Sequence, residues 1–326
     1  MPPTVSVVMN CYNGARYLRL ALQSLFDQTY DDFELVFFDN ASTDESPAIF
    51  QEFAVRFPEK TRYFRGAQTV PLGAARNLAL TNAQGRYIAF LDCDDLWLSE
   101  KLVLQTAMLE ADPGLGLVCT DTEIFDGEHV VKRLFFEGRP VRGKVFVELV
   151  KRQWISMSSA MLRREALESL LEDSAMSAEG SRNYFDECLN VCEEADVFYR
   201  IAHDWELDHV DEPLTRWRVH GANTTFRKFG QFAEETLYIL EKHRRLYPGY
   251  DVEHADLVAL FTRRAAFQKA VAFWREGRNS QARSAVAPWK NTSLKYQLFW
   301  WASFLPGSCF DLAARIYFSL PTPLRR

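Results

Sequence analysis

Short apolar runs rich in β-branched and aromatic residues alternate with segments of helical period as far as about residue 220. That is the pattern of βαβ units built on a mostly parallel sheet, an α/β fold. Val5 to Met9 predicts a buried strand, and the helix after it sets Tyr17, Leu18, Ala21, Leu22 and Leu25 on one face. Phe33 to Phe38 predicts a second strand that runs straight into Asp39-Asn40-Ala41-Ser42. Ser42 and Glu45 stand at capping-box spacing and predict a helix from there to about Arg56. Arg62 to Arg65 reads as a weaker strand, Gly73 to Asn82 as a short helix, and Tyr87 to Leu91 as a third strong strand ending in Asp92-Cys93-Asp94-Asp95. Beyond it the pattern predicts a helix over Glu100–Ala111, a strand over Leu117–Thr120, a turn at Asp126-Gly127 and a strand over Ser156–Leu162. A helix over Glu194–Ala202 and two strands, Leu207–Val210 and Leu214–Val219, follow. The acidic, Ser-rich stretch Glu172 to Asn183 has no period and reads as a loop, either mobile or a plain surface connection.

From about Phe226 onward only helical period remains: Gln231 to Leu246, Val252 to Glu276, then two aromatic-rich pieces flanking Pro306-Gly307. The expected organisation is an α/β domain over 1–225 and a helical region over 226–326. Leu298 to Leu320 is the most hydrophobic segment, but Pro306-Gly307 interrupts it and Asp311 and Arg315 would be stranded in lipid, which argues against a spanning helix. Trp300, Trp301, Phe304, Phe310, Tyr317 and Phe318, with Arg325 and Arg326 behind them, suit either a peripheral membrane anchor or a helical cap on the main domain.

Composition narrows the partners. A formal net charge of -6 opposes a protein whose main task is to neutralise nucleic-acid phosphates, so no nucleic-acid partner is expected. The six cysteines show no Cys-x-x-Cys pair, and Met-Pro-Pro-Thr leads into the first strand without a signal-peptide pattern; a reducing cytoplasm is the expected location. Cys188 and Cys192 could lie one helical turn apart, yet no His or further Cys stands at zinc spacing around them, so they read as structural thiols.

In an open α/β sheet, ligands bind beyond the carboxyl ends of the strands. Three such ends carry polar cargo: Asn10-Cys11-Tyr12-Asn13-Gly14, Asp39, and Asp92-Cys93-Asp94-Asp95. An isolated Asp-x-Asp is usually a solvated turn. Here a buried strand delivers the carboxylates to the ligand rim, where they suit Mg²⁺ or Mn²⁺ shared with substrate phosphates.

Together with Ser6-Val7-Val8-Met9, Gln28-Thr29-Tyr30, Phe38 to Asp44, Ala75-Arg76-Asn77 and Gly85-Arg86-Tyr87, these blocks resemble family-2 glycosyltransferases with the GT-A fold, over roughly residues 4–225. The resemblance implies transfer of a sugar from a nucleotide-diphosphate donor to a hydroxyl acceptor, in polysaccharide or glycolipid synthesis. It implies that Asp39 binds the nucleobase, where a carboxylate can accept the N3–H of uracil or thymine. Tyr12 and Asn13 would line base and ribose, Arg76 would contact the nucleotide, Asp92 would touch ribose or a metal-bound water, and Asp94 would ligate the metal. A UDP- or dTDP-sugar donor and a glycan or lipid-linked glycan acceptor follow from the same resemblance. The sequence departs from the family in Asn40, where a second Asp is frequent and which bears on the choice between uridine and thymidine sugars, and in Asn10-Cys11, where a proline is common.

Inverting members place a catalytic carboxylate at the head of a helix reading Asp-Leu-x-x-Arg. Here Cys192 to Arg200 matches that helix; aligning Asp196 and Arg200 puts Glu194 in the base position, with Glu193 as the fallback. Acids in a first helical turn also complement the macrodipole, which is the plain alternative. Downstream, Arg218-Val219-His220 resembles the family's closing Arg-x-His, which gives His220 to the metal or the diphosphate and Arg218 to phosphate or to an ion pair between strands. A sugar nucleotidyltransferase would need a Gly-rich loop where Cys11 to Tyr17 has only Gly14, and neither a dinucleotide fingerprint nor a Walker loop is present. A non-catalytic nucleotide-sugar-binding protein is the remaining competitor.

Overall fold

The computed structural model describes residues 2–171, 183–220 and 229–309. Its contacts divide the chain into two compact units, Met1–Gly221 and Ala222–Arg326.

The first unit opens with β1 (Val5–Cys11), α1 (Ala15–Phe26), β2 (Phe33–Asp39), α2 (Ser46–Arg56), β3 (Thr61–Arg65), α3 (Leu72–Leu80) and β4 (Tyr87–Phe90). β1, β2 and β4 are apolar on both faces and correspondingly buried, as parallel strands covered by helices must be. α1 buries Leu18, Ala21, Leu22 and Leu25 against them. Next come β5 (Leu96–Trp97), α4 (Lys101–Ala111), β6 (Leu115–Phe125), β7 (Val130–Arg133), α5 (Phe146–Lys151), β8 (Met161–Arg163), α6 (Arg164–Ser169), α7 (Glu193–Asp204) and β9 (Glu206–Arg218).

The sheet runs β3-β2-β1-β4-β8-β6-β9-β5, with β7 on β6. β3, β2, β1 and β4 are all parallel, β8 is antiparallel to both its neighbours, and β9 is parallel to β6. The strand order reverses at β1, with β2 on one side and β4 on the other, which is where such sheets open a crevice for ligands.

Several local expectations change. The two strands expected at 207–210 and 214–219 are one, β9; the register slips where Asp121 faces Pro213, because proline has no N–H for the ladder and the strand bulges past it instead of ending. The strand expected over 156–162 is a 3-10 turn, Met157–Ser159, followed by β8. Ser42 and Glu45 form no capping box: α2 starts at Ser46 with no side-chain cap, and the Ser42 hydroxyl instead accepts the Asn13 N–H at 3.1 Å. Cys188 precedes α7, so it and Cys192 do not share a helix. The turn at Asp126-Gly127 is present, with the Asp126 carboxylate accepting the N–H groups of Glu128 and His129. Of the stretch 172–183, residues 172–182 lie outside the described residues.

The second unit contains α8 (Phe232–Leu246), α9 (Tyr250–Glu253), α10 (Ala255–Arg275), α11 (Asn279–Val286) and α12 (Leu294–Ala302). The helix expected over 252–276 breaks at His254, which leaves the helical region of backbone space (φ -126°, ψ 38°). Ala270, Val271, Trp274, Ala282, Val286, Tyr296 and Phe299 form this unit's core, and the Trp274 indole donates to the Leu305 carbonyl at 2.9 Å. α12 is thus half core and half surface: Tyr296 and Phe299 are buried while Trp301 is 61% exposed, followed by exposed Phe304 and Leu305. Phe310, Tyr317, Phe318, Arg325 and Arg326 lie outside the described residues. No helix among the described residues is long and apolar enough to cross a membrane.

Candidate active site

The ends of β2, β1 and β4 lie side by side, so the three polar segments after them share one rim. Asp39, the last residue of β2, is fully buried. Its Oδ1 accepts the Ser42 N–H at 2.7 Å, and its Oδ2 accepts the Tyr63 hydroxyl at 2.6 Å and an Arg65 N–H at 2.7 Å. Both partners come from β3, whose register sets Phe37 against Tyr63 and Asp39 against Arg65. Asn40 is buried and turned away from this carboxylate: its amide donates to the Val70 carbonyl at 2.8 Å and accepts the Val70 N–H at 3.0 Å. A carboxylate cannot do both, which is a structural reason for Asn rather than Asp at this position. The chain then turns through Ala41 at φ 61°. Asn13, at φ 52°, accepts the Thr43 N–H at 2.8 Å and so ties the loop after β1 to the loop after β2. Tyr12 beside it is 54% exposed, a ring face open at the rim.

The acidic loop after β4 divides by role. Asp95 is buried and structural: it accepts the Ser158 hydroxyl at 2.6 Å and the Arg218 N–H at 2.9 Å. Burial, then the neighbouring charges of Asp94 and Asp92, push its carboxyl well above the usual range. Ser158 in turn accepts the Asp92 N–H, so the 3-10 turn before β8 fixes both ends of the loop. Asp94 meets His220, its Oδ2 standing 2.9 Å from the imidazole Nε2. Burial and Asp92 raise the Asp94 carboxyl while His220 opposes the shift. Tyr17 lies against the His220 ring at 5.1 Å, and the Arg218 guanidinium sits over Tyr17 at 4.6 Å while its Nε donates to the Asp94 carbonyl. Arg218 thus holds the backbone of the acidic loop.

Arg76 is not a surface residue of α3. It is buried and bridges two acids, donating to Glu193 at 2.8 Å and to Asp92 at 3.3 Å. Asn77 next to it exchanges two hydrogen bonds with the Phe185 backbone, both at 2.9 Å, which docks the segment preceding α7 onto α3. Within α7 the Arg200 guanidinium is bound to Asp196 and to the Tyr184 carbonyl, a buried i,i+4 pair that anchors the helix. Glu193 is therefore spent on Arg76. Glu194 is half-buried, and its carboxylate makes no hydrogen bond or ion pair among the described residues. Burial pushes its pKa up to about 8; Arg76 opposes the shift, and Glu193 and Asp92 add to it.

A carboxylate and an imidazole converging at Asp94 and His220 suit Mg²⁺ or, with its greater tolerance for nitrogen, Mn²⁺. Among the described residues no three His, Cys, Asp or Glu side chains cluster to hold a metal by themselves, so the remaining positions would fall to substrate phosphate and water. Sequence reasoning passed over Tyr63 and Arg65, which sit in the weakest strand, and Ser158, a serine with no pattern around it. Cys11, at the end of β1, and Cys93, in the acidic loop after β4, also reach this rim.

The sheet, its switch point and the acidic rim can now be set beside known proteins. The model of glycosyl transferase family 2 matches residues 6–171. An uncharacterized glycosyltransferase of Rickettsia felis is 28% identical over 225 residues, 68% of this chain and 34% of that protein, so the chain spans about a third of that relative's length. The Escherichia coli UDP-Glc:alpha-D-GlcNAc-diphosphoundecaprenol beta-1,3-glucosyltransferase WfgD is 27% identical over 241 residues, 65% of this chain and 88% of that one. Among solved structures, S. aureus TarS in complex with UDP-GlcNAc superposes with a TM-score of 0.62 at 18% identity, covering 98% of this chain and 92% of that one. The mannosyltransferase PcManGT from Pyrobaculum calidifontis, in complex with GDP-Man and Mn2+, gives 0.59 at 18% identity, covering 100% and 83%. The family match and the shared mixed sheet lead to one conclusion: this chain belongs to glycosyl transferase family 2 and has a GT-A-like fold with C-terminal helices.

Proposed function

We propose that this chain transfers a sugar, with inversion, from a UDP- or dTDP-linked donor to a hydroxyl of a glycan or lipid-linked glycan, with Glu194 as general base. The observation that carries the reading is the contrast within one helical turn. Glu193 is neutralised by Arg76, while Glu194 is left without a partner and with a pKa near 8, close to where a base working at neutral pH should sit. Removing the acceptor proton as the oxygen attacks is worth about 10²–10⁴-fold in rate.

The other residues bind and orient. Tyr12 offers a face for the nucleobase and Asn13 lines the ribose side. Asp39 has about four acceptor positions, three of them taken by Ser42, Tyr63 and Arg65, which leaves one for the imide N–H of uracil or thymine. Arg65, with its side chain 47% exposed, is the partner that can yield to a base. Arg76 keeps Asp92 beside the ribose. Asp94 and His220 would hold Mg²⁺ or Mn²⁺, and such a cation would supply charge neutralisation for the departing diphosphate. The donors bound by TarS and PcManGT differ in their base, so the uridine or thymidine reading rests on Asp39 alone. The lipid-linked acceptor is supported by the substrate named for WfgD. The exposed Trp301, Phe304 and Leu305 support peripheral contact with the cytoplasmic face of a membrane, where such acceptors reside.

The test is a screen of UDP- and dTDP-sugars with Mn²⁺, reading thermal stabilisation and release of the nucleoside diphosphate in parallel. Turnover in wild type, with stabilisation but no turnover in Glu194→Gln, is the expected result. Stabilisation without release in wild type would make the protein a nucleotide-sugar binder, and no response to any donor would reject the reading.

A further inference from the structure

The rim contains a second chemical feature that glycosyl transfer does not use. In the parallel register of β1 and β4, Val8 faces Phe90, and the Leu91 N–H still bonds to the Val8 carbonyl at 3.1 Å. Cys11 ends β1 and Cys93 lies in the acidic loop after β4, so the parallel pairing brings both to the same rim. The side chains converge: a Cβ added to Gly14 would lie 2.8 Å from the Cys93 sulfur and 2.9 Å from the Cys11 sulfur. Both thiols are free. Cys11 is buried, while Cys93 is half-buried and the more accessible of the two.

We propose that Cys11 and Cys93 form an oxidative modification site, a dithiol that closes to a disulfide on reaction with a low-molecular-weight disulfide. Cys93, giving up its proton as it reacts, attacks one sulfur of the reagent R–S–S–R; the S–S bond breaks, one R–S⁻ leaves and takes up that proton, and a mixed disulfide forms on Cys93. The Cys11 thiolate then attacks the Cys93 sulfur and expels the second R–S⁻. The two thiol protons end on two R–SH, and the two electrons lost by the cysteines reduce the reagent. Closing the bond sets the sulfurs about 2.05 Å apart. Cys93 stands between Asp92 and Asp94, so the closure pulls the acidic loop toward β1 and disturbs the pocket for the donor diphosphate. That consequence rests on the function proposed above, whereas the bond itself does not.

The experiment treats the full chain with oxidised glutathione, maps peptides without reduction, and measures Mn²⁺-dependent UDP-sugar turnover before and after dithiothreitol. The expected result is a linked pair of peptides carrying Cys11 and Cys93, loss of two of the six free thiols, and at least tenfold slower turnover restored by the reductant. Cys188→Ser should form the same link, and Cys11→Ser should stop at a glutathione adduct on Cys93. No Cys11–Cys93 peptide under oxidation, or a link between other cysteines, overturns the site. A link that leaves turnover unchanged overturns its effect on the donor pocket. If the reduced protein has no turnover with any donor, the functional reading fails while the peptide map still decides the dithiol.

Discussion

The carboxylate of Asp94 and the imidazole of His220 lie 2.9 Å apart although 126 residues separate them in the chain. β4 delivers the first and the far end of β9 the second, and Arg218, two residues before His220, holds the Asp94 carbonyl so that the pair stays in register. Replacing Asp94 with Ala should lower transfer by about 10³-fold, and His220 with Ala by about 10–100-fold with a higher Mn²⁺ requirement. Initial rates against Mn²⁺ concentration, with a chelator control, check both; equal rates in the Asp94 variant would remove that residue from the site.

Glu194 predicts two pH dependences of stated sign. Its folded pKa, about 8, lies above the unfolded value, so between roughly pH 4.5 and 8 the folded state holds a proton that the unfolded state has lost. Stability of the free protein should therefore fall as pH rises through that window, by an amount on the order of a few kcal/mol, and Glu194→Gln should flatten that part of the curve. Turnover should run the opposite way, rising through pH 8 as the base ionises and levelling off only about one unit or more above it. Urea melts and a pH–rate profile measure the two.

Arg76→Met should destabilise the first unit by about 3–5 kcal/mol, because it leaves the Glu193 carboxylate buried without a cation. Combining it with Glu193→Gln should recover part of that loss. Denaturant unfolding of the two single variants and the double gives the coupling.

Asn40→Asp, which installs the acid frequent in the family, should cost about 1–3 kcal/mol here. The Val70 carbonyl would lose its donor and face a carboxylate oxygen instead. If the melting temperature does not fall, the clamp on Val70 contributes little.

The sequence made the nucleotide half of the site legible because its residues follow strong, buried strands: Asp39 closes β2, and Asp92 to Asp95 follow β4. What it hid depends on the third dimension. Arg76 and Glu193 are 117 positions apart and nothing local marks them as a pair. Tyr63 and Arg65 reach Asp39 only because β3 pairs with β2 in one particular register. The Ser42 and Glu45 spacing misled because the Ser42 hydroxyl serves the Asn13 N–H across the rim rather than the helix beside it. Pro213 looked like a break, but β6 is long enough to hold β9 on both sides of the bulge.

The bridge made by Arg76 also fixes a dimension of the cleft. On the function proposed above, Asp92 stands on the donor side and Glu193 abuts the proposed base; one planar guanidinium touches both. The distance between those two carboxylates is thus gauged by a rigid group of fixed width instead of by two independent loops. A lysine there, with a single point of charge, could grip either wall but not measure the gap between them.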